Sequence, residues 1–309
     1  MKLAIPDVIS PSYFPAAAAI ELGFFKQEGL DVTLEHIRPV TNTWEALRDG
    51  QIEFVGASAH AALSAFPEWK GVKLLCAQGQ GMYWFLVMRS DIGAKQNDLS
   101  CVKGRKIGAA PWIDLGLRRL LQEAGIDTQR DNVDIVPIPP DPTAKVSYNF
   151  GVIAAKALED GKLDGFWANG MGCEVAVRKG VGVKVLDIRR GDGPPGCFDY
   201  TFSSIATTEK IVKEQPDVAA AAIRAIVNTH KAFKADPNIA TKVGEKLFPP
   251  EEAAMIAELI RRDLPIYDAS ISEKAIAGVN KFSREMGILK EDGAYDQIVA
   301  TQFSNLWKG

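Results

Sequence analysis

The chain has 309 residues, 24% charged and 47% apolar, with a formal net charge of −3. That is a globular composition, long enough for two domains. With Lys and Arg scattered along the chain there is no bulk basic field for nucleic acid or anionic membrane, and no apolar run reaches bilayer-spanning length.

In chain order, Leu3–Ile5 reads as a first strand rather than the apolar stretch of a signal peptide. The loop Ser10–Pro15 leads into a helix that has Pro15 in its first turn, where proline is tolerated, and that Gly23 ends. Phe24 and Phe25 are expected in the core. A strand over 32–37 follows, then Thr41-Asn42-Thr43 capping a helix that begins at Trp44. Asp49-Gly50 ends that helix. Ile52–Val55 is a short buried strand and Gly56–Ser58 a small-residue corner, with Ser58 suited to cap the helix that His60 opens. Pro67 stops that helix, and Val72–Ala77 is the next strand. Gly79-Gln80-Gly81 links to a long β-rich run, 82–89.

A second series then repeats the first. Lys106-Ile-Gly-Ala-Ala-Pro111 echoes Lys2-Leu-Ala-Ile-Pro6, and Ala157-Leu-Glu-Asp-Gly-Lys-Leu-Asp164 echoes Ala46-Leu-Arg-Asp-Gly-Gln-Ile-Glu53. Between them lie a helix over 115–124, with Arg118 and Arg119 on its exposed side, a β-rich run at 133–138, a proline-rich loop at 137–142 and a helix over 151–158. Strands at 166–168 and 183–188 flank a helix at 174–178. The turn-dense Gly191–Gly196 precedes a second β-rich run, Tyr200–Ala206, which pairs with 82–89 as a two-strand connection. From Glu209 onward the chain is helical: 215–235, 238–247, 250–262, 271–286 and a tail near 294–307. This pattern gives an α/β chain of two related lobes with a cleft between them: lobe 1 is 1–88 plus 200–309, and lobe 2 is 89–199.

Several residues carry a resemblance. Glu21-Leu-Gly-Phe-Phe-Lys-Gln-Glu-Gly-Leu-Asp-Val32, Ala46–Val55, Lys103–Gly108 and Tyr200–Thr207 together resemble the solute-binding proteins of ABC importers in the nitrate, alkanesulfonate, taurine and thiamine-precursor group. The resemblance implies a type II periplasmic-binding-protein fold: two α/β lobes joined by a two-strand hinge that close on a ligand. It implies a small-molecule ligand, a membrane permease as partner, no cofactor and a monomer. It also implies a periplasmic location, with the leader absent from this sequence; a complete sequence would instead be cytoplasmic. Relatives of the fold include cytosolic thiamine-pyrimidine synthases and decarboxylases, whose cysteine-rich motif this sequence lacks.

In open α/β sheets, ligands collect beyond the carboxyl ends of the strands. The candidate binding residues are therefore Ser10, Ser12, Tyr13, Thr41, Asn42, Thr43, Ser58, Ala59, His60, Gly81, Tyr83 and Trp84 in the first lobe and hinge. In the second lobe they are Trp112, Asp114, Asn169 and Met171. Helix starts such as Ser12-Tyr13 and Ser58-Ala59-His60 offer unpaired N–H groups that suit an anion. Tyr13, Tyr83, Trp84 and Trp112 suit a flat, aromatic guest, although Tyr83 and Trp84 fit strand packing equally well. Asp114 opposes an anion and favours an amine or ring nitrogen, unless it serves the helix dipole. The expected guest is a small organic molecule that is sulfonate-, carboxylate- or pyrimidine-like.

No catalytic motif is found, so the chain is expected not to be an enzyme. The alternative, a cytosolic enzyme acting on a pyrimidine or aromatic acid, would rest on His60 and Asp114. A ligand-sensing module would need a signalling or DNA-binding segment, and the sequence shows none. His36, His60 and His230 are far apart in sequence. Cys76, Cys101, Cys173 and Cys197 have no zinc spacing, so no metal site is expected. The four thiols permit disulfides without requiring them.

Overall fold

The computed structural model describes residues 1–140 and 149–308, so the end of the proline-rich loop, from 141, lies outside the described residues. The chain divides into two compact units: Met1–Gly81 with Asp199–Gly309, and Met82–Phe198.

Unit 1 is built on strands β1 (Lys2–Ile5), β2 (Thr33–His36), β3 (Phe54–Ser58), β4 (Val72–Gly79) and β10 (Ser203–Thr208). Their order is β2-β1-β3-β10-β4, with β1 parallel to β2 and β3, and β10 antiparallel to β3 and β4. Unit 2 holds β5 (Phe85–Arg89), β6 (Lys106–Ala109), β7 (Asp134–Val136), β8 (Gly165–Ala168) and β9 (Gly182–Asp187). Their order is β7-β6-β8-β5-β9, with β6 parallel to β7 and β8, and β5 antiparallel to β8 and β9. The two sheets share one topology. In each, the antiparallel strand in the fourth position is the first strand after a chain crossing. The echoed sequences are thus equivalent elements: β3 matches β8, and helix α3 (Val40–Arg48) matches α5 (Phe150–Glu159).

The remaining helices of unit 1 are α1 (Phe14–Glu21), α2 (Phe24–Gln27), α7 (Glu209–Glu214), α8 (Pro216–Ala235), α9 (Ile239–Leu247), α10 (Pro250–Asp263), α11 (Glu273–Glu285) and α12 (Tyr295–Ile298). Unit 2 adds α4 (Asp114–Glu123) and α6 (Gly170–Arg178). The C-terminal helices belong to unit 1 because α1 and α8 share a core. Phe14 stacks on Phe233 at 5.7 Å between ring centroids, and Phe248 tilts against Phe14 at 5.6 Å. The buried Ala219–Ala222 run of α8 lets its backbone approach its neighbours closely. The edge strand β4 is covered rather than exposed. Ala77 N–H donates to Ala269 O, Ala300 N–H to Leu74 O, and the Trp307 indole to Leu75 O.

In unit 2, Phe166 of β8 packs with Ala154, Leu158 and Cys173 of α5 and α6. A Cβ on Gly172 would stand 2.4 Å from Gly151 O, so these two helices touch backbone to backbone.

Several local expectations change. Helix α3 begins at Val40, because Pro39 (φ −61°) is its N-cap residue and its carbonyl accepts from Asn42 N–H. Thr41, Asn42 and Thr43 therefore sit in the first turns and cap nothing: Thr43 Oγ1 donates to Ile37 O and Asn42 Nδ2 to Arg38 O. Gly56–Ser58 is part of strand β3, since its small residues suit a fully buried strand. The long run 82–89 is a strand only from Phe85. Arg119 is not on an exposed face; its side chain is 12% exposed and pairs with Glu123 one turn on. None of the four cysteines is in a disulfide; Cys76, Cys173 and Cys197 are buried and Cys101 half-buried.

Candidate functional site

In unit 1 the carboxyl ends of the parallel strands β1, β2, β3 and β4, together with the start of antiparallel β10, form one edge of the sheet. Ser58 is the last residue of β3, and the candidates Ser10, Ser12, Tyr13, Thr41–Thr43, Ala59, His60 and Gly81 follow the strand ends. Tyr13 is the residue before α1, and its N–H donates to Ser10 O at 3.1 Å.

The helix-start reading of Ser58-Ala59-His60 is overturned. A 3-10 helix, Ala59–Ser64, begins there, but Ser58 makes no side-chain cap. Ala59 N–H donates to Phe202 O, and His60 N–H reaches Thr201 Oγ1 at 3.4 Å. The chain itself uses these donors, so they are not offered to an anion. The His60 ring is fully buried, lies 3.0 Å from Thr201 Oγ1 through Nδ1, and packs edge-on against Phe282 at 5.4 Å. The ring is thus already engaged within the core.

What this edge does offer is hydroxyl groups. Ser10, Ser58 and Ser203 are each fully buried, and their Oγ atoms have no hydrogen-bond partner. Burying an unpaired hydroxyl costs about 1–3 kcal/mol, so three of them along one sheet edge need a reason. The buried Asp7 lies in the same region, on the loop after β1. No Lys or Arg is among the buried polar residues described for this unit. Gln78, at the end of β4, braces the edge: its Oε1 accepts from Ala16 N–H at 3.1 Å and its Nε2 donates to Ser204 O at 3.2 Å.

In unit 2 the corresponding edge carries Trp112, Asp114, Asn169 and Met171. Trp112 follows β6 and holds φ +70°, a left-handed conformation costly for a bulky residue. Asp114 opens α4 and accepts from Arg118 Nε at 2.8 Å, which balances its charge within the helix. Asn169 is the N-cap of α6; its Oδ1 accepts from Met171 N–H at 2.9 Å and Gly172 N–H at 3.2 Å. Met171 is fully buried.

Tyr83 and Trp84 precede β5 and join an aromatic cluster. Their ring centroids are 4.9 Å apart, Trp84 lies 6.1 Å from Trp167, and the Arg189 guanidinium sits 5.3 Å over the Tyr83 ring. Trp84 also packs on Gly116 of α4, where a Cβ would meet its ring at 3.2 Å. Trp167 Nε1 is buried without a hydrogen-bond partner. The sequence reading missed Asp7, Gln78, Thr201, Ser203, Trp167 and Arg189. The available signal was position: Ser203 and Trp167 lie at strand ends, whereas Arg189 carried none.

Among the described residues no group of His, Cys, Asp and Glu could hold a metal ion, and no helix is long and apolar enough to cross a membrane.

Two five-stranded sheets of this topology define the type II periplasmic-binding-protein fold. The profile of the NMT1/THI5-like family matches residues 10–240, and the chain belongs to that family. Similar solved structures include the alkanesulfonate-binding protein SsuA of Xanthomonas axonopodis pv. citri bound to MOPS. It is 12% identical, covers 98% of this chain and 96% of its own, and has a TM-score of 0.70. The periplasmic nitrate-binding protein NrtA of Synechocystis PCC 6803 is 14% identical, with 99% and 86% covered and a TM-score of 0.69. The desulfurization enzyme DSZB is 16% identical, with 98% and 97% covered and a TM-score of 0.65. No curated protein matches the chain by sequence.

Proposed function

We propose that this chain is the solute-binding component of an ABC importer, acting in the periplasm and delivering a small organic molecule to a membrane permease. Binding proteins of this fold act by hinge closure around a ligand. The observation that carries this reading is the set of three buried serine hydroxyls, Ser10, Ser58 and Ser203, that no group among the described residues satisfies. A bound molecule with oxygen or ring-nitrogen acceptors would take them up. In unit 2, Trp112 and the unpartnered Trp167 indole supply a flat surface and one more donor.

In unit 1 the guest is therefore met by neutral donors beside a carboxylate, Asp7, and the cation near the candidate residues, Arg189 over the Tyr83 ring, belongs to unit 2. That chemistry fits a pyrimidine or a zwitterionic sulfonate better than a compact inorganic anion. Asn169 and Asp114 act through the helices they open, not as the principal contacts.

Native mass spectrometry of the purified chain, followed by tryptophan-fluorescence titration with pyrimidines, sulfonates and aromatic carboxylates, tests the proposal. A saturable quench by one class with unchanged ligand supports it. Turnover of that ligand by the chain alone would instead establish the enzyme alternative, a role the DSZB relative shows this fold can take.

A further inference from the structure

A cavity of about 250 Å³ opens in unit 1 beside the edge strand β4, and none of its walls belongs to the serine edge described above. Its floor is aromatic and fixed. The His230 and Tyr267 rings stack at 5.2 Å, and the Trp307 indole is tied to Leu75 O at 2.9 Å. His230 Nε2 lies 2.9 Å from Gln78 O. A carbonyl only accepts, so Nε2 carries the hydrogen, leaving Nδ1 as an acceptor on a ring that lines the cavity.

The rim is cationic. Lys231, Lys234 and Lys308 line the cavity and are exposed, and among the described residues none of the three has an ion-pair partner. The one carboxylate in the lining, Asp268, is turned to its own loop, where Oδ1 accepts from Ser270 N–H at 2.8 Å. Three unneutralised ammonium groups against one carboxylate leave the cavity's field positive.

We propose that this cavity is a second binding site, for a phosphate group in its hydrogen-phosphate or monoester form. The three lysines meet its anionic oxygens as point charges. Its remaining P–OH donates to His230 Nδ1. A free phosphate and the headgroup of a phosphatidic-acid surface share this chemistry. The proposal does not rest on the solute-binding reading, because the two sites share no residue.

The test uses the full chain without any solute. Isothermal titration with inorganic phosphate forms one arm, and co-sedimentation with phosphatidylcholine vesicles with and without phosphatidic acid forms the other. Saturable binding is expected in at least one arm. Each of Lys231→Ala, Lys234→Ala and Lys308→Ala should weaken it about three- to tenfold, and the triple variant should abolish it. Asp268→Asn should tighten it. The lysines are exposed, so an unchanged melting temperature shows that the fold survives. Binding in neither arm, or binding that the triple variant retains, overturns the proposal.

Discussion

Ser58 and Ser203 are register partners across the antiparallel β3–β10 pair, and each holds a fully buried hydroxyl with no hydrogen-bond partner. A sheet gains nothing from two such groups side by side. Ser58→Ala and Ser203→Ala should therefore leave the unfolding free energy unchanged or raise it, by up to about 1 kcal/mol each. The same variants should weaken solute binding about three- to tenfold, as expected when a hydrogen bond to the ligand is lost. Thermal melts alongside fluorescence titration separate the two effects. Lower stability with unchanged affinity would mean that the hydroxyls serve the sheet alone.

Asn169 gives the opposite signature. Its Oδ1 accepts from the first two N–H groups of α6 beyond Gly170, so Asn169→Ala should cost about 0.5–2 kcal/mol of stability. Asn169→Asp and Asn169→Ser should restore most of that loss. Solute affinity should stay close to that of the parent chain, measured below the variant's melting point.

The fold was readable because both sheets reuse one short series of elements. Ala46–Glu53 and Ala157–Asp164 each end a helix and start a buried strand, and a helix stop followed by an apolar run is a local signal. The helical character of the chain after Glu209 was also legible from its periodicity. The candidate site residues were chosen only by position. Strand ends pointed to Ser10 and Ser58, but the use of the Ala59 and His60 amides by Phe202 O and Thr201 Oγ1 depends on a contact some 140 residues distant in sequence. Local sequence cannot report that a backbone donor is already taken. The start of α3 was misplaced for a local reason: Thr-Asn-Thr reads as a cap, yet Pro39 had already set the helix entry.

Gly172 should tolerate no side chain. A Cβ there would stand 2.4 Å from Gly151 O, and backbone cannot swing aside. Gly172→Ala should destabilise the protein by about 1–3 kcal/mol, as overpacking does. Gly116→Ala is the milder comparison, because its neighbours are the Met82 and Trp84 side chains at 3.2 Å. Chemical denaturation of the two variants should rank them in that order.

The thiols should be present and slow. Burial pushes the Cys101 thiol up to about 11 and the Cys76 thiol higher still, so neither is a thiolate near neutral pH. Ellman's reagent at pH 8 should label the folded chain slowly, with the half-buried Cys101 first. In denaturant without reductant all four thiols should titrate; a smaller number would reveal a disulfide.

His230 should make the protein sensitive to mild acid. Its ring is buried between Tyr267 and the backbone of Gln78, and burial lowers its pKa from 6.5 to about 4, with Lys234 adding repulsion and Asp268 partly offsetting it. Below pH 6.5 the unfolded chain binds a proton at this residue while the folded chain does not. The unfolded state is then favoured increasingly as the pH falls, until the folded ring also protonates near pH 4. The contribution is complete above pH 6.5 and lost across that window, in all by roughly 3 kcal/mol. His36 titrates in the same sense, and acidic groups protonate there too, so the informative quantity is a difference. His230→Gln keeps a donor for Gln78 O but cannot titrate. Between pH 7 and pH 4 its unfolding free energy should fall by less than that of the parent chain, by about that amount. Parallel stability–pH curves for the two proteins would show that the imidazole already carries its proton in the folded state.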